Sequence, residues 1–307
     1  MGKKFNFAST LTNNTTYDGE QLESYILKSF TDNKTVGSVP PQNVITDIFE
    51  KEKVGKLDGS SLVQVGENCS FNDSGTVTVS EGTLEPKDFF INISLCYEDL
   101  RPIYNTLNTG SLNEQELAAG FSASMAEMLQ SKFNQSWENA VWNAIYVATG
   151  TTETDVFDGI DAQITTYANT GATLTASNVI AHLNTLVASL PNDVLDKEDL
   201  TIYMNQKSLN LYFDALFALG IMTPQGATAA TYKGYKIVAI SKISNGKMYA
   251  IEASNLYFGV GSMTDFESLQ ILDQKKITGD NAVRLILQGR GDVLVGWESE
   301  AAKMTAS

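Results

Sequence analysis

Two short stretches of the sequence have residue types that could bind a ligand. Gly259-Val260-Gly261 has closely spaced glycines like those of a nucleotide-binding loop, and Arg290-Gly291-Asp292 spells an integrin-binding tripeptide. A dinucleotide fingerprint requires a helix N-terminus to receive the pyrophosphate, whereas a strand pattern follows Gly261. We therefore interpret the first stretch as a corner where the backbone bends. Because Gly and Asp are common in turns, we interpret the second stretch as a hairpin turn.

The residues of the common catalytic and metal sites are scarce. His182 is the only histidine, which excludes His-dependent triads and His-rich zinc sites. Cys69 and Cys96 are too few for a disulfide framework. The acidic clusters at 153–155 and 196–199 lack the spacing of a calcium loop, so we interpret them as solvated turns. We predict no catalytic residue, no metal and no cofactor.

Charge and hydropathy exclude two further classes of protein. The formal net charge is −15, and the sequence has no dense run of Lys and Arg that could displace counterions from a nucleic acid. We therefore expect no sequence-specific contact with DNA or RNA. No apolar run approaches the ~20 residues that span a bilayer. The first residues lack the apolar segment of a signal peptide, so we expect a soluble intracellular protein.

The first hundred residues predict an arm followed by a projecting sheet. Residues 1–16 are polar and aperiodic, and Asp18 precedes a short amphipathic helix that Pro40-Pro41 terminates. Between 44 and 95, the runs SLVQV, TVTVS and FFINISL alternate in polarity and are separated by turn residues, which predicts strands and hairpins. Their apolar content is thin, and an isolated hairpin is marginally stable in water. We expect this segment to project and to pack on another surface.

Residues 112–146 have the longest helical pattern in the chain. Apolar side chains recur at every fourth position, at Leu117, Phe121, Met125, Leu129, Phe133, Trp137, Val141 and Ile145. Because a helix has 3.6 residues per turn, such a stripe winds around a helix roughly 50 Å long. We expect a spine that is covered by different neighbours at its two ends. The alternative is a pair of helices broken near Gln130–Asn134.

After Thr149 the pattern alternates between strands and helices. We predict a helix from Thr175 that Pro191 ends, and a buried strand at 201–204. Asn205 is the expected N-cap of a second helix, and Gly220 is its expected C-terminal cap.

The rest of the chain is predicted to be mainly β. Asn245-Gly246 separates two strand patterns and predicts a type I′ hairpin turn. The apolar runs after Gly261 predict a meander, with its last turn at 290–292.

This order of parts resembles the major capsid proteins of tailed double-stranded DNA bacteriophages, whose fold is named after phage Hong Kong 97. The resemblance rests on the spine at 116–146, on FDGIDAQI at 157–164, on the strand pattern at 253–274 and on the closing strands at 283–304. The resemblance covers nearly the whole chain. It rests on the order of the elements and not on an invariant sequence signature.

The resemblance implies an α+β fold of the Hong Kong 97 type with an inserted α/β A-domain. The implied segments are an N-terminal arm and lead-in at 1–55, a β-hairpin E-loop region at 56–95, a P-domain with the spine helix at 96–155, the A-domain at 156–261 and return strands of the P-domain at 262–307. It also implies self-assembly into an icosahedral capsid as hexamers and pentamers.

The implied partners are other copies of the chain, a portal, decoration proteins and packaged double-stranded DNA without sequence-specific contact, and no membrane. The spine begins too soon after Met1 for a large N-terminal scaffolding segment, so we expect a separate scaffold protein or none. The implied location is the virion, after assembly in the bacterial cytoplasm. We expect subunit contacts at Tyr17, Leu22, Ile26, Val63, Phe71, Val77, Trp137 and Trp142.

Two other functions remain open. One is the shell of an encapsulin-like nanocompartment, which keeps the fold but encloses a cargo enzyme. The other is an α/β enzyme whose site is not recognised, against which the single histidine and the lack of a nucleophile or metal constellation count.

Overall fold

The architecture is a mixed α+β fold, as predicted. The computed structural model describes residues 33–60, 75–96, 131–169, 172–221, 230–261, 270–274, 278–280 and 282–306. In chain order, its strands are β1 (Val44–Ile45), β2 (Glu52–Ser60), β3 (Thr76–Leu84), β4 (Lys87–Cys96), β5 (Tyr167–Asn169), β6 (Leu200–Met204), β7 (Ala230–Tyr232), β8 (Tyr235–Ala239), β9 (Lys247–Glu252), β10 (Leu256–Val260), β11 (Gln270–Asp273), β12 (Ala282–Val295) and β13 (Ala301–Thr305). Its helices are α1 (131–143), α2 (Ile160–Gln163), α3 (Val179–Ala188), α4 (Asn192–Leu195) and α5 (Gln206–Ala218).

The first sheet is built around β12. β10 and β11 pair antiparallel with one edge of β12, β4 pairs antiparallel with the other, and β1 runs parallel to β10. The predicted strands TVTVS and FFINISL are confirmed within β3 and β4. β12 continues without interruption through Arg290-Gly291-Asp292, so the hairpin turn predicted there is wrong.

Gly291 has a packing role instead of a turn role. A Cβ atom at Gly291 would collide with the indole ring of Trp137 in α1. Trp137 also packs on Phe133 and on Phe89 of β4, with ring centroids 6.1 and 5.6 Å apart. A glycine inside a strand often marks such a close approach. The residue that suggests a turn in the sequence therefore makes room for a side chain from a distant segment.

The described part of the predicted spine is α1, and it ends earlier than predicted. Residues 131–143 are helical without a break, whereas 144–146 are not helical. The buried members of the four-residue stripe in α1 are Phe133, Trp137 and Val141. Ile145, the next member, is 62% exposed beyond the helix end. The predicted helix before residue 131 lies outside the described residues.

The early end of α1 has a local cause. Ile145 N donates to the carbonyl of Thr154 at 2.8 Å, and Gly159 N donates to the carbonyl of Ala144 at 2.8 Å. These bonds pair the chain after α1 with the segment that leads into α2. Backbone groups that would otherwise continue the helix are therefore satisfied by a loop.

The second sheet has the strand order β5-β13-β9-β6-β8-β7. All of β6 is buried, as predicted for 201–204, and α3 and α5 share a hydrophobic core with this sheet. The predicted caps of α5 are confirmed: Asn205 Oδ1 accepts from Lys207 N at 2.9 Å, and Gly220 has a φ of 75°. α3 begins at Val179 rather than at Thr175, because the Asn178 side chain accepts from Thr175 N at 2.7 Å and holds a turn there.

The predicted hairpin around Asn245-Gly246 is wrong. β6 lies between β8 and β9, parallel to the first and antiparallel to the second. A type I′ turn requires positive φ at both central residues. Gly246 has a φ of 82°, but Asn245 has no positive φ. Lys233 and Gly234, with φ of 50° and 92°, form the two-residue turn of this kind and join β7 to β8.

The chain crosses from the second sheet to the first at the 3-10 turn Ala253–Asn255, before the predicted corner. Gly259 lies within β10 and Gly261 follows it, and neither glycine has positive φ. A Cβ atom at Gly261 would lie 2.6 Å from Arg290 Cβ, and one at Gly259 would lie 3.0 Å from Ile48 Cδ1. These glycines permit close packing rather than a bend, so the predicted corner is corrected to Ala253–Asn255.

Two strands pair across the predicted segment boundaries, which themselves stay predictions. β4 falls within 56–95 but belongs to the first sheet through β12, so the described hairpin consists of β2 and β3. β13 falls within 262–307 but joins the second sheet, between β9 and β5.

Candidate assembly surfaces

The hairpin of β2 and β3 exposes an apolar face. The two strands form a separate sheet of nine residue pairs, in which Leu57 lies opposite Val79. Leu57, Val77 and Val79 are 75%, 59% and 62% exposed. Because side chains two residues apart share a face of a strand, these three form one surface, which we call the hairpin stripe. An apolar face on a two-stranded sheet is a candidate contact surface, since such a sheet gains little stability alone.

The inner half of the hairpin is fixed to the rest of the chain. A Cβ atom at Gly82 would lie 2.8 Å from Leu294 Cδ2, so β3 packs closely on β12 there. Lys56, the middle residue of β2, forms an ion pair with Glu300. Its Nζ also lies 5.1 Å from the centroid of the Trp297 ring. These contacts set the direction in which the hairpin projects.

The ion pair of Lys56 is part of a charged network between the hairpin and the second sheet. Lys197 pairs with Glu252 and lies 3.3 Å from the Glu300 carboxylate. Burial by itself would raise the pKa of Glu300, but its contacts with Lys56 and Lys197 outweigh burial and leave that pKa below the usual value. Glu300 is therefore held as a carboxylate between two lysines.

A half-buried carboxylate holds the elbow between β3 and β4. Asp292 accepts hydrogen bonds from Glu85 N and Val293 N, each at 2.8 Å. Burial raises the pKa of Asp292 to about 6. Hydrogen bonds from Lys51 and Lys87 lower the pKa of the Glu85 carboxyl to about 2, with N–O distances of 2.7 and 2.6 Å. The elbow is thus fixed through both the backbone and the side chain of Glu85.

A groove of about 790 Å³ runs between β4, α1 and the loop that follows α1. We call it the β4 groove. Its floor is aromatic: Phe89 stacks on Phe133 with centroids 5.5 Å apart, and Trp137 meets Phe157 at 5.2 Å. Phe90 and Tyr146 line it as well, and both are exposed. An open aromatic floor of this kind is a candidate surface for another polypeptide.

A further apolar patch lies at the end of α5. Phe217, Leu219 and Ile221 are all exposed there. The patch is at the opposite end of α5 from the capping Asn205 and is separate in sequence from the hairpin stripe.

The predicted contact residues fall into three groups. Tyr17, Leu22, Ile26, Val63 and Phe71 lie outside the described residues. Val77 is exposed in the hairpin stripe, whereas Trp137 and Trp142 are buried within the chain. Trp142 packs between Tyr203 and Tyr249 and donates from Nε1 to Thr35 Oγ1 at 2.8 Å.

Sequence reasoning did not single out several exposed apolar residues. Leu57 and Val79 complete the hairpin stripe, and Phe90 lies on the rim of the β4 groove. The alternation in β3 predicts that Val77 and Val79 share a face. The pairing of Leu57 with Val79 depends on the register across the hairpin tip, which the sequence does not determine.

Metal-ligand clusters and membrane-spanning helices were both sought among the described residues. They contain no group of three or more His, Cys, Asp and Glu side chains that could hold a metal ion. His182 is buried on α3, and burial lowers its pKa. Over the same residues, no helix is both long and apolar enough to span a bilayer.

Comparisons with known proteins find similarity in structure. Neither the protein-family models nor the curated proteins match the chain. A chain of the cyanophage A-1(L) capsid asymmetric unit has a TM-score of 0.57 at 13% identity, covering 98% of this chain and 99% of that chain. A chain of the satellite phage P4 procapsid has a TM-score of 0.54 at 10% identity, covering 89% and 97%. A chain of the capsid of Myoviridae phage XM1 has a TM-score of 0.54 at 12% identity, covering 86% and 90%.

These likenesses extend over most of each chain, and at such low identity what they show is the fold. The chain has the Hong Kong 97-type fold of tailed-phage major capsid proteins.

Proposed function

We propose that the chain is the major capsid protein of a tailed bacteriophage. It assembles as hexamers and pentamers into an icosahedral shell around double-stranded DNA. The observation that carries this proposal is the likeness to the cyanophage A-1(L) capsid chain, which spans 98% of this chain and 99% of that one.

The exposed surfaces support self-assembly. The hairpin stripe and the end of α5 both leave large apolar side chains exposed to water. Burying a side chain such as Val or Leu stabilises a contact by about 1.5–3 kcal/mol. Two separated patches on one chain suit a closed shell, because each copy then contacts neighbours on more than one side.

The charge of the chain supports a shell that encloses the packaged DNA without binding it tightly. The net charge is −15, so a shell of many copies is strongly acidic. A wall with the same sign of charge as the phosphates does not hold DNA in place, because like charges repel. A separate scaffold protein, a portal and decoration proteins complete the proposed assembly, which takes place in the bacterial cytoplasm.

Expression of the chain alone, and together with the scaffold candidate from the same genome, tests the proposal. We expect particles of uniform diameter in negative-stain images, with fast sedimentation of the same fraction. A chain that stays monomeric under both conditions contradicts the proposal.

The alternative with the same fold is an encapsulin-like shell. Particles purified from the native source separate the two functions, since a phage shell contains DNA and a nanocompartment contains a cargo enzyme. Cargo protein in place of a genome supports the alternative.

An enzymatic role is the other alternative, and we propose that the chain has a structural role instead. A broad hydrolase screen tests this. Turnover that a single point substitution abolishes contradicts a purely structural role.

A further inference from the structure

We propose that Asp292 is a proton-operated latch on the hairpin of β2 and β3. As a carboxylate, Asp292 holds the elbow between β3 and β4 against β12, and on protonation it releases the elbow so that the hairpin can swing. The latch is a property of the single subunit. Its role as a control on assembly rests on the proposed shell function.

The elbow is short and has one backbone donor. β3 ends at Leu84 and β4 begins at Lys87, so Glu85 and Pro86 are the whole link between them. Proline has no N–H group, which leaves Glu85 N as the backbone donor of the link. Glu85 N donates to Asp292 Oδ2 at 2.8 Å. The backbone donor of the elbow is therefore tied to β12 through one side chain.

The ion pairs of the Glu85 side chain do not replace this tie. Lys51 immediately precedes β2, so its contact with Glu85 lies within the base of the hairpin. Lys87 is two residues from Glu85 along the chain, so its contact is local. Hydrogen bonds from the two lysines lower the pKa of Glu85 to about 2, which keeps both pairs charged in mild acid. Both contacts can therefore persist while the elbow leaves β12.

A second hold on the hairpin can act as a pivot. Lys56, in the middle of β2, pairs with Glu300. Burial alone would raise the pKa of Glu300, but Lys56 and Lys197 hold that pKa below its usual value, so the pair also survives mild acid. The close approach of Gly82 to Leu294 is apolar and non-directional. Release of the elbow therefore lets the hairpin turn about Lys56 and Glu300 without detaching it.

Protonation weakens the latch through its hydrogen bonds. Asp292 Oδ2 accepts from Glu85 N, and Asp292 Oδ1 accepts from Val293 N, each at 2.8 Å. A carboxylate accepts at both oxygens, whereas a protonated carboxyl has one oxygen that becomes a hydroxyl donor. Hydrogen bonds to an ionised acceptor are also roughly twice as strong as neutral ones. Whichever oxygen takes the proton, the hold on Glu85 N weakens.

The surroundings of Asp292 place its titration in a range that leaves the other holds intact. Burial raises the pKa of Asp292 to about 6; the charge of Asp158 acts in the same direction, whereas Lys87 and the two backbone hydrogen bonds act against it. On β10, the residue that pairs with Asp292 is Gly259, which carries no charge. The charged groups around the latch are Lys87 of β4, Asp158 before α2, Glu85 of the elbow and, on β12 itself, Arg290, which is paired with Asp88. Mild acid therefore neutralises Asp292 while Glu85 and Glu300 stay ionised.

Energy transfer between two dyes on the unassembled subunit tests the latch. The full chain carries Cys69→Ser and Cys96→Ser, with Thr78→Cys on β3 and Asp214→Cys on α5 as labelling sites, both of which are exposed. Between about pH 7 and pH 5, the distance between the dyes is expected to shift and its distribution to broaden, with a midpoint near the pKa of Asp292. An unchanged distance distribution over this range overturns the latch.

Two variants assign the transition to Asp292. Asp292→Asn is neutral at every pH and should show the acid distribution throughout. Asp88→Asn, the matched control, removes an exposed carboxylate from the neighbouring strand and should keep the transition and its midpoint. A transition that persists in Asp292→Asn belongs to another group and overturns the latch. Circular dichroism checks that each variant is folded, and if Asp292→Asn is not, the titration of the labelled chain with Asp292 intact decides.

Particle yield tests the role of the latch in assembly. The ionised fraction of a group with a pKa of about 6 falls about tenfold between pH 7 and pH 5, and the yield of particles is expected to fall with it. An equal yield at both pH values, with a hairpin that moves, overturns the control of assembly. Absence of particles at every pH contradicts the shell function, and the latch then stands or falls by the distances in the unassembled subunit.

Discussion

β6 and β3 are two strands of one chain with opposite surroundings. β6 is buried along its whole length, with strands on both edges and a shared core with α3 and α5. Only Leu84 is buried among the nine residues of β3, and Val77 and Val79 face water. The side chains of β6 are covered by other parts of the same chain, whereas the hairpin has exposed surfaces that other copies are proposed to cover. Substitutions should therefore affect the isolated subunit in one region and assembly in the other.

The largest expected loss of subunit stability is at Trp142. Its ring is fully buried and lies 5.2 and 5.0 Å from the ring centroids of Tyr203 and Tyr249. We expect Trp142→Ala to lower the free energy of unfolding by about 3–5 kcal/mol, because it leaves a large cavity. Urea unfolding of the unassembled subunit, followed by circular dichroism, measures the change. Val79→Ala is the control, with an expected change of less than about 0.5 kcal/mol. An equal loss of unfolding free energy in Trp142→Ala and Val79→Ala would contradict the proposed difference between the buried second sheet and the exposed hairpin.

The next effect is a dependence of stability on pH through Asp292. The ordinary pKa of an aspartate is 3.8, and burial raises it to about 6 in the folded chain. The folded chain thus keeps a proton that the unfolded chain has lost. The resulting stability is full below pH 4 and is lost as the pH rises to 6.

Comparison with Asp292→Asn isolates this effect from the other carboxylates. The free energy of unfolding of the unsubstituted chain should fall by about 3 kcal/mol relative to Asp292→Asn between about pH 4 and pH 7. Urea unfolding at several pH values measures it. A constant difference between the two proteins across this range would contradict the raised pKa.

Two glycine-to-alanine substitutions test the same comparison, because each adds a single methyl group in one of the two kinds of surroundings. Gly291 lies against the Trp137 ring, whereas a Cβ atom at Gly55 in β2 would meet nothing within 4 Å. We expect Gly291→Ala to destabilise the subunit by about 1–3 kcal/mol through overpacking. Gly55→Ala should be neutral or slightly stabilising, since alanine reduces the freedom of the unfolded chain. Thermal unfolding of both variants measures the difference, and a loss at Gly55 comparable to that at Gly291 would be the contrary result.

The smallest effect on subunit stability is expected at the hairpin stripe. Val77→Asp with Val79→Asp should change the free energy of unfolding by no more than about 0.5 kcal/mol, because both side chains are already in water. The same variant should not form particles, since two carboxylates would then be buried at a contact. Thr78→Asp on the opposite face is the control and should still assemble. Normal particles from the double variant would show that the stripe is not a contact.

The sequence predicted local features well where a nearby residue determines them. Asn205 caps α5 and Gly220 ends it, because a helix end is set by the residues next to it. The burial of β6 was also predicted: Leu200, Ile202 and Met204 share an apolar face, and Thr201 and Tyr203 on the other face have hydrogen-bond partners for their hydroxyls.

The errors arose where a distant segment determines the structure. Asn245-Gly246 has the composition of a hairpin turn, but β6 is inserted between the two flanking strands. Gly291 looked like a turn residue because its actual partner, Trp137, is far away in the sequence. The hairpin stripe was found in part, since alternation predicts the shared face of β3 but not the register of Leu57.

The position of β13 has a consequence for synthesis of the protein. β13 is the last described strand, yet it lies in the interior of the second sheet, between β9 and β5. During translation both of these strands leave the ribosome before β13. Each therefore has one edge without its hydrogen-bonding partner until residues 301–305 emerge. A chain that ends before residue 301 cannot complete the sheet. Its unpaired strand edges are prone to aggregation and to binding by chaperones. Without residues 301–305, β9 and β5 would each keep an edge that nothing in the described second sheet pairs with.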